Sequence, residues 1–171
     1  MLEHTYRPSH IANFFLNKAR QEEDTLTQLK LLKLVYLGYG WTAALLEKKL
    51  FDEPIEAWKH GPVVPSLYHE FKHFGSDPIE GASISFDLDS GEITKPEISK
   101  EDSDLELVLS FVWDIYKRFS AWDLRGKTHE PGTPWSDTYE SGYTNKEIAF
   151  DLIRQHFTRK IEEYLSDKET Q

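Results

Sequence analysis

Cysteine is absent from the 171 residues, and there is a single methionine. Without a thiol the chain has no disulfide framework, no zinc ribbon and no thiolate nucleophile. That composition suits a reducing compartment, and the expected location is cytoplasmic. Long apolar runs are also missing. None approaches the roughly 18 residues a membrane span requires, so no membrane partner is expected. Met1-Leu2-Glu3-His4 lacks the basic-then-apolar order of a secretory signal. Basic residues are in deficit: 20 Lys and Arg face 30 Asp and Glu, a formal charge of −10 with the seven His neutral. Phosphate backbones call for Lys and Arg, so direct nucleic-acid binding is not expected either. No internal repeat or glycine-rich phosphate loop is present.

The deficit has a position. Residues 1–50 carry seven basic and five acidic side chains; residues 51–100 carry four and ten; residues 101–171 carry nine and fifteen. Such a bias keeps a surface soluble. It also suits a face that attracts a basic partner. At about 150 residues per domain, the length fits a single domain over residues 1–171, large enough to bury a real core.

What is present is mostly helical in period. Ser9 is placed to cap a first helix carrying Ile11, Phe14, Phe15 and Ala19. Thr27 is placed to cap a longer one through Leu31, Leu34, Val35, Gly38, Gly40 and Trp41, with Lys48 and Lys49 near its end. This helix is apolar on more than one face, so it belongs at the centre of the core, and its glycines suit close packing. Residues 50–62 are broken by Pro54, Gly61 and Pro62 and are expected as an ordered loop with a short extended piece. Pro65 suits the first turn of a third helix and Gly75 its stop. Ile84, Phe86 and Leu88 alternate with polar residues before Asp89-Ser90-Gly91, a hairpin signal. Ser99 or Ser103 starts a fourth helix, and Ser120-Ala121-Trp122-Asp123 caps a short fifth. His129 to Trp135 is expected as a loop. Thr144-x-x-Glu147 has the form of a capping box opening a last helix over about 144–166, with the tail from Asp167 fraying. The expected fold is mainly α: a single compact helical domain of about six helices with one small β-hairpin.

His69-Glu70-x-x-His73 matches a zinc-hydrolase pattern, in which two imidazoles one turn apart hold the metal and the Glu polarises its water. No third ligand follows at a suitable distance, and Lys72 places a charge inside the motif. The bland reading, two ordinary histidines on an exposed helix face, is preferred, and the hydrolase is the alternative from a different class. Ser66 and Ser141 lack a nucleophile-elbow context. The residues alone describe a helical domain without a convincing active site. Its five tryptophans are more often core or interface anchors than cofactor boxes.

Rigid and aromatic residues do concentrate in two segments. One is Glu56-Ala57-Trp58-Lys59-His60-Gly61-Pro62-Val63-Val64-Pro65-x-x-Tyr68, and the other runs from Thr128-His129-Glu130 to Pro134-Trp135. With Ala12-Asn13-Phe14-Phe15, the Lys33-Leu34-Val35-Tyr36 helix and Ser120-Ala121-Trp122-x-Leu124, these motifs occur in the order of the Panacea family over about residues 10–140. The chain resembles that family, the SocA-like antitoxin domain also met as phage-associated GepA-like proteins. The resemblance implies an antitoxin of a type II toxin–antitoxin pair that binds and neutralises a cognate protein toxin by direct contact. The alternative within the family is a proteolytic adaptor that delivers the toxin to an AAA+ protease. Neither enzymatic activity nor a cofactor is implied. The expected partner surface is built on Trp58, His60, Tyr68, His129 and Trp135, with Gly61, Pro62 and Pro134 shaping the loops. The competing possibility is that these residues hold the loops against the core, leaving contact to the last helix or to the acidic 76–106 stretch.

Overall fold

The computed structural model describes residues 6–169, so Met1-Leu2-Glu3-His4 and the last two residues of the tail lie outside the described residues. Helix α1 spans Pro8–Gln21. Arg7, not Ser9, occupies its N-cap, because Pro8 is itself helical: its fixed φ suits the first turn and its missing N–H costs nothing there. Helix α2 spans Gln28–Leu45, and Thr27 caps it by accepting from Lys30 N. It stops before Lys48 and Lys49. Along α2, fourteen consecutive or near-consecutive positions from Gln28 to Ala43 are buried, as its all-round apolarity predicts.

Around α2 the other elements form a jacket: α1, α3 (Pro65–Phe71), α4 (Ser103–Tyr116), α5 (Ala121–His129) and α7 (Phe150–Glu169) all contact it. Pro65 opens α3, a short 3₁₀ turn over Lys72–Phe74 follows, and Gly75 ends it at φ 56°. Ser103 is the first residue of α4, behind Asp102. Ser120 and Asp123 form the reciprocal capping box at the start of α5. Buried side chains from Tyr6 to Phe157 make one hydrophobic cluster. Glycine lets α7 approach the centre: Phe157, fully buried on α7, lies where a side chain on Gly40 would be.

Three expectations are corrected. The 50–62 segment, expected as an ordered loop with one short extended piece, holds a hairpin: β1 (Glu56–Trp58) and β2 (Gly61–Val63) pair antiparallel, with Trp58 opposite Gly61 across the Lys59-His60 turn. So the described residues hold two hairpins, the second being β3 (Ser85–Phe86) with β4 (Ile93–Thr94). The His129–Trp135 segment is a loop only over residues 130–133. His129 ends α5, and Thr133 caps a five-residue helix, α6 (Pro134–Thr138), by accepting from Ser136 N. Finally, α7 begins at Phe150 rather than at the Thr144 box, and it continues through Asp167 to Glu169. The residues before it are committed elsewhere: Ala57 N donates to Lys146 O and Ile148 N to Ile55 O, both at 2.8 Å, so 146–148 runs beside β1. Backbone pairing with a buried strand outweighs a local capping preference. With α6 added, the described residues hold seven α-helices where about six were expected.

Asn13 on α1 ties the second hairpin to the core. Its Nδ2 donates to Ser83 O (3.0 Å) and Pro96 O (2.8 Å), and its Oδ1 accepts from Ser83 N (2.8 Å).

Candidate functional site

The motif residues separated in sequence meet at one place, where the β1–β2 hairpin lies between α2 and the α5–α6 corner. Lys33 of α2 is completely buried, and its Nζ donates to Pro62 O at 3.1 Å. Gly61 sits directly above it at φ 111°, and a side chain there would meet Lys33 Cε and Nζ at 2.8 Å and Thr128 Oγ1 at 3.0 Å. Only glycine satisfies both the backbone angle and the space. Burial, with a smaller contribution from the Arg125 charge, pulls the Lys33 ammonium down to about 7.

His129 closes the hairpin from the α5 side. Its Nδ1 lies 2.7 Å from Arg125 O and its Nε2 3.2 Å from Lys59 O. A neutral ring carries one N–H and donates to only one of these carbonyls. Burial nevertheless holds the imidazole below its usual value, and the two carbonyls oppose that shift. Its ring packs 3.7 Å, centroid to centroid, from Trp135, which stacks in turn on Tyr139 at 4.6 Å. The Trp135 indole N–H donates to Trp58 O at 2.7 Å. On the outer side, Trp58 Nε1 donates to Glu56 Oε2 at 2.7 Å and its ring meets Tyr68 edge-on at 4.8 Å.

The five residues expected as a partner surface are therefore neighbours, but they differ in access. Trp135 is buried at 9% exposure, and His129, Trp58 and Tyr68 are half-buried. His60 at the hairpin turn is exposed, 6.4 Å from the ring of Trp122, itself 65% exposed on α5. Gly61, Pro62 and Pro134 are buried within the frame. A Trp135→Phe variant should keep most of the ring stacking but leave Trp58 O without its donor. The expected loss is about 1–3 kcal/mol of stability, read from thermal melting.

His69 and Glu70 lie on α3, and His73 lies beyond its end. The α-helix ends at Phe71, which puts His73 on the 3₁₀ turn against Phe74 (4.1 Å), while His69 packs toward Tyr68 and Trp58. Among the described residues, no three His, Asp or Glu gather in a metal-binding group.

A second feature was not singled out from the sequence. An apolar groove of about 820 Å³ runs between α4 and α7 over the C-terminal end of α2. Trp41 forms its floor, edge-on to Phe111 of α4 (5.4 Å) and Phe157 of α7 (5.5 Å), with its Nε1 donating to Tyr116 Oη at 3.2 Å. Leu45, Leu107, Ile115, Ile161 and Tyr164 complete the walls. Leu107 is 71% and Phe111 41% exposed. The available signal was the double stripe on α4. Leu105, Leu109 and Val112 face the core, and Leu107, Phe111 and Ile115 form a second apolar row four residues apart.

Among the described residues no helix is long and apolar enough to cross a membrane. No solved structure matches the chain. One curated relative, named Antitoxin SocA, from Caulobacter vibrioides (strain NA1000 / CB15N), is 32% identical over 127 residues. The match covers 73% of this chain and 66% of that protein, so the chain spans just under two thirds of its relative's length. The family pattern described as antitoxin SocA-like, Panacea domain matches residues 31–136, the stretch that holds Lys33, the β1–β2 hairpin and the His129–Trp135 corner. The chain belongs to the SocA-like Panacea domain family.

Proposed function

We propose that this protein is the antitoxin of a type II toxin–antitoxin pair and neutralises a cognate protein toxin by direct contact, without catalysis of its own. The observation that carries this reading is the family match over residues 31–136, together with the similarity to a protein named Antitoxin SocA. The shape agrees with a binding role: Lys33, His129 and Trp135 all reach carbonyl oxygens of the β1–β2 hairpin and hold it in place. In this reading His129, Trp135, Gly61, Pro62 and Pro134 are the frame. Trp58 and Tyr68 offer their outer edges, and His60 reaches solvent at the turn.

Co-expression with the product of the neighbouring gene tests this. That product alone should stop growth, and this protein should restore it; a harmless product, or toxicity that persists, removes the antitoxin reading. Toxin lifetime separates two modes. An inhibitor leaves the toxin present and bound, whereas an adaptor for an AAA+ protease shortens its half-life, and the first outcome is expected.

A further inference from the structure

We infer that the toxin docks an amphipathic helix, flanked by Lys or Arg, in the groove between α4 and α7; this rests on the antitoxin reading above. Leu45, Leu107, Phe111 and Tyr164 are exposed large apolar side chains drawn from three helices, and they line one continuous depression with Trp41 at its base. Isolated exposed leucines are ordinary, but a contiguous apolar groove of this size marks a binding surface.

The walls decide the kind of occupant. Both are α-helices whose backbone groups are satisfied within the helix, so the groove presents side chains and no free strand edge. An extended segment lying there would bury its own N–H and C=O groups without partners, at a cost of about 1–3 kcal/mol each. A helix satisfies its backbone internally and needs only an apolar ridge, spaced i, i+3/i+4, i+7. The rim decides the charge of its flanks. Asp104 on α4 and Glu163 and Asp167 on α7 stand along the groove, with Lys160 the basic residue among its lining. A second basic group, Lys168, lies over the Tyr164 ring, 4.9 Å from its centroid. The excess remains acidic, in a chain of net charge −10. A second copy of this chain would bring like charge to the same rim, which disfavours self-association there.

The test uses the purified protein and the purified product of the neighbouring gene. Leu107→Glu and Phe111→Glu, both at exposed positions, should fold with melting temperatures near that of the starting protein. They should bind the toxin about 30-fold or more weakly, the effect of losing a central apolar anchor. Leu88→Glu, at an 88% exposed apolar position on the second hairpin, controls for the added charge and should bind normally. Hydrogen exchange on the toxin should show protection over one helical segment bearing Lys or Arg beside its apolar ridge. If the unaltered protein does not bind, the antitoxin reading falls and the groove inference with it. If binding survives both substitutions, only the groove inference is overturned. It is also overturned by toxin protection confined to an extended strand, or by an unaltered protein that is a dimer which Leu107→Glu converts to a monomer.

Discussion

Replacing Lys33 with methionine should raise the melting temperature at pH 7 by about 2–12 °C and flatten the pH dependence of stability. The Lys33 ammonium is held down from 10.5 to about 7, chiefly by burial. Below about pH 7 folded and unfolded chains both carry the proton, and folding bears the full cost of burying it. Between about 7 and 10.5 the unfolded chain binds more protons than the folded one, so stability rises with pH across that window. At pH 7 a shift of this size corresponds to about 4 kcal/mol against folding, and methionine removes it. The same change leaves Pro62 O without its donor, a loss of about 1–3 kcal/mol, and the apolar stem keeps its packing. The net expectation is a gain of about 1–3 kcal/mol, at roughly 2–4 °C per kcal/mol for a chain this long. Denaturant titrations at pH 6, 7, 8 and 9 read both effects. Tyr36, Tyr39, Tyr116 and Tyr6 are all pushed upward by burial and would lower stability only above about pH 10, outside the range. A starting protein whose stability is flat from pH 7 to 9 would show that the ammonium is not the penalised group. Gain in the variant should come with a looser hairpin, because the Lys33–Pro62 hydrogen bond helps fix the turn that presents His60.

Gly40→Ala should act in the opposite direction, although alanine is the better helix former by about 1 kcal/mol. A Cβ at this position would stand 2.1, 2.3 and 2.6 Å from three ring atoms of Phe157. That ring is 1% exposed and is held edge-on by Tyr36, Trp41 and His156, so it cannot simply turn away. Either α7 moves outward or the ring leaves its rotamer, for a net loss of about 1–3 kcal/mol. Thermal melting should show a fall of about 2–12 °C. Phe157→Leu is destabilising alone but vacates part of the contested space, so the double variant should be more stable than the sum of the two by about 1 kcal/mol or more. Strict additivity would mean the ring and the glycine do not share the space. The effect reaches function through the groove: Phe157 supports Trp41 from the α7 side, so a displaced α7 alters the floor and spacing of the surface inferred to take the toxin helix.

The elements legible in the sequence are those whose signals are local. Thr27, Pro65, Gly75 and the Ser120–Asp123 pair mark their helix ends because each acts on backbone groups within one turn. The first hairpin escaped, since Lys59-His60 is not a turn-favouring pair and Pro62 argues against a strand; Pro62 is tolerated because β2 is an edge strand and Ala57 opposite it directs its N–H away, to Lys146 O. The Thr144 box misled because residues 146–148 pair with a strand ninety residues earlier. At the candidate site, residue identities were readable and orientations were not. Trp135 resembles an exposed anchor until its N–H is seen to close the hairpin on Trp58 O. The groove belongs to no single segment: three helices each contribute a row that looks like ordinary amphipathic excess, and only their packing joins the rows.

The Asn13 clasp divides the chain into a part that cannot change length and a part that can. By holding Ser83 and Pro96 together, it closes the base of the second hairpin, so whatever lies between hangs outside the core as a sewn loop. Loop closure depends only weakly on length, so an insertion at the Asp89-Ser90 turn leaves the anchoring hydrogen bonds in place. None of residues 83–96 lines the groove or joins the Trp58–Trp135 frame. That turn is therefore a natural attachment point for a fluorophore or an affinity tag, a handle placed away from both surfaces whose binding is in question.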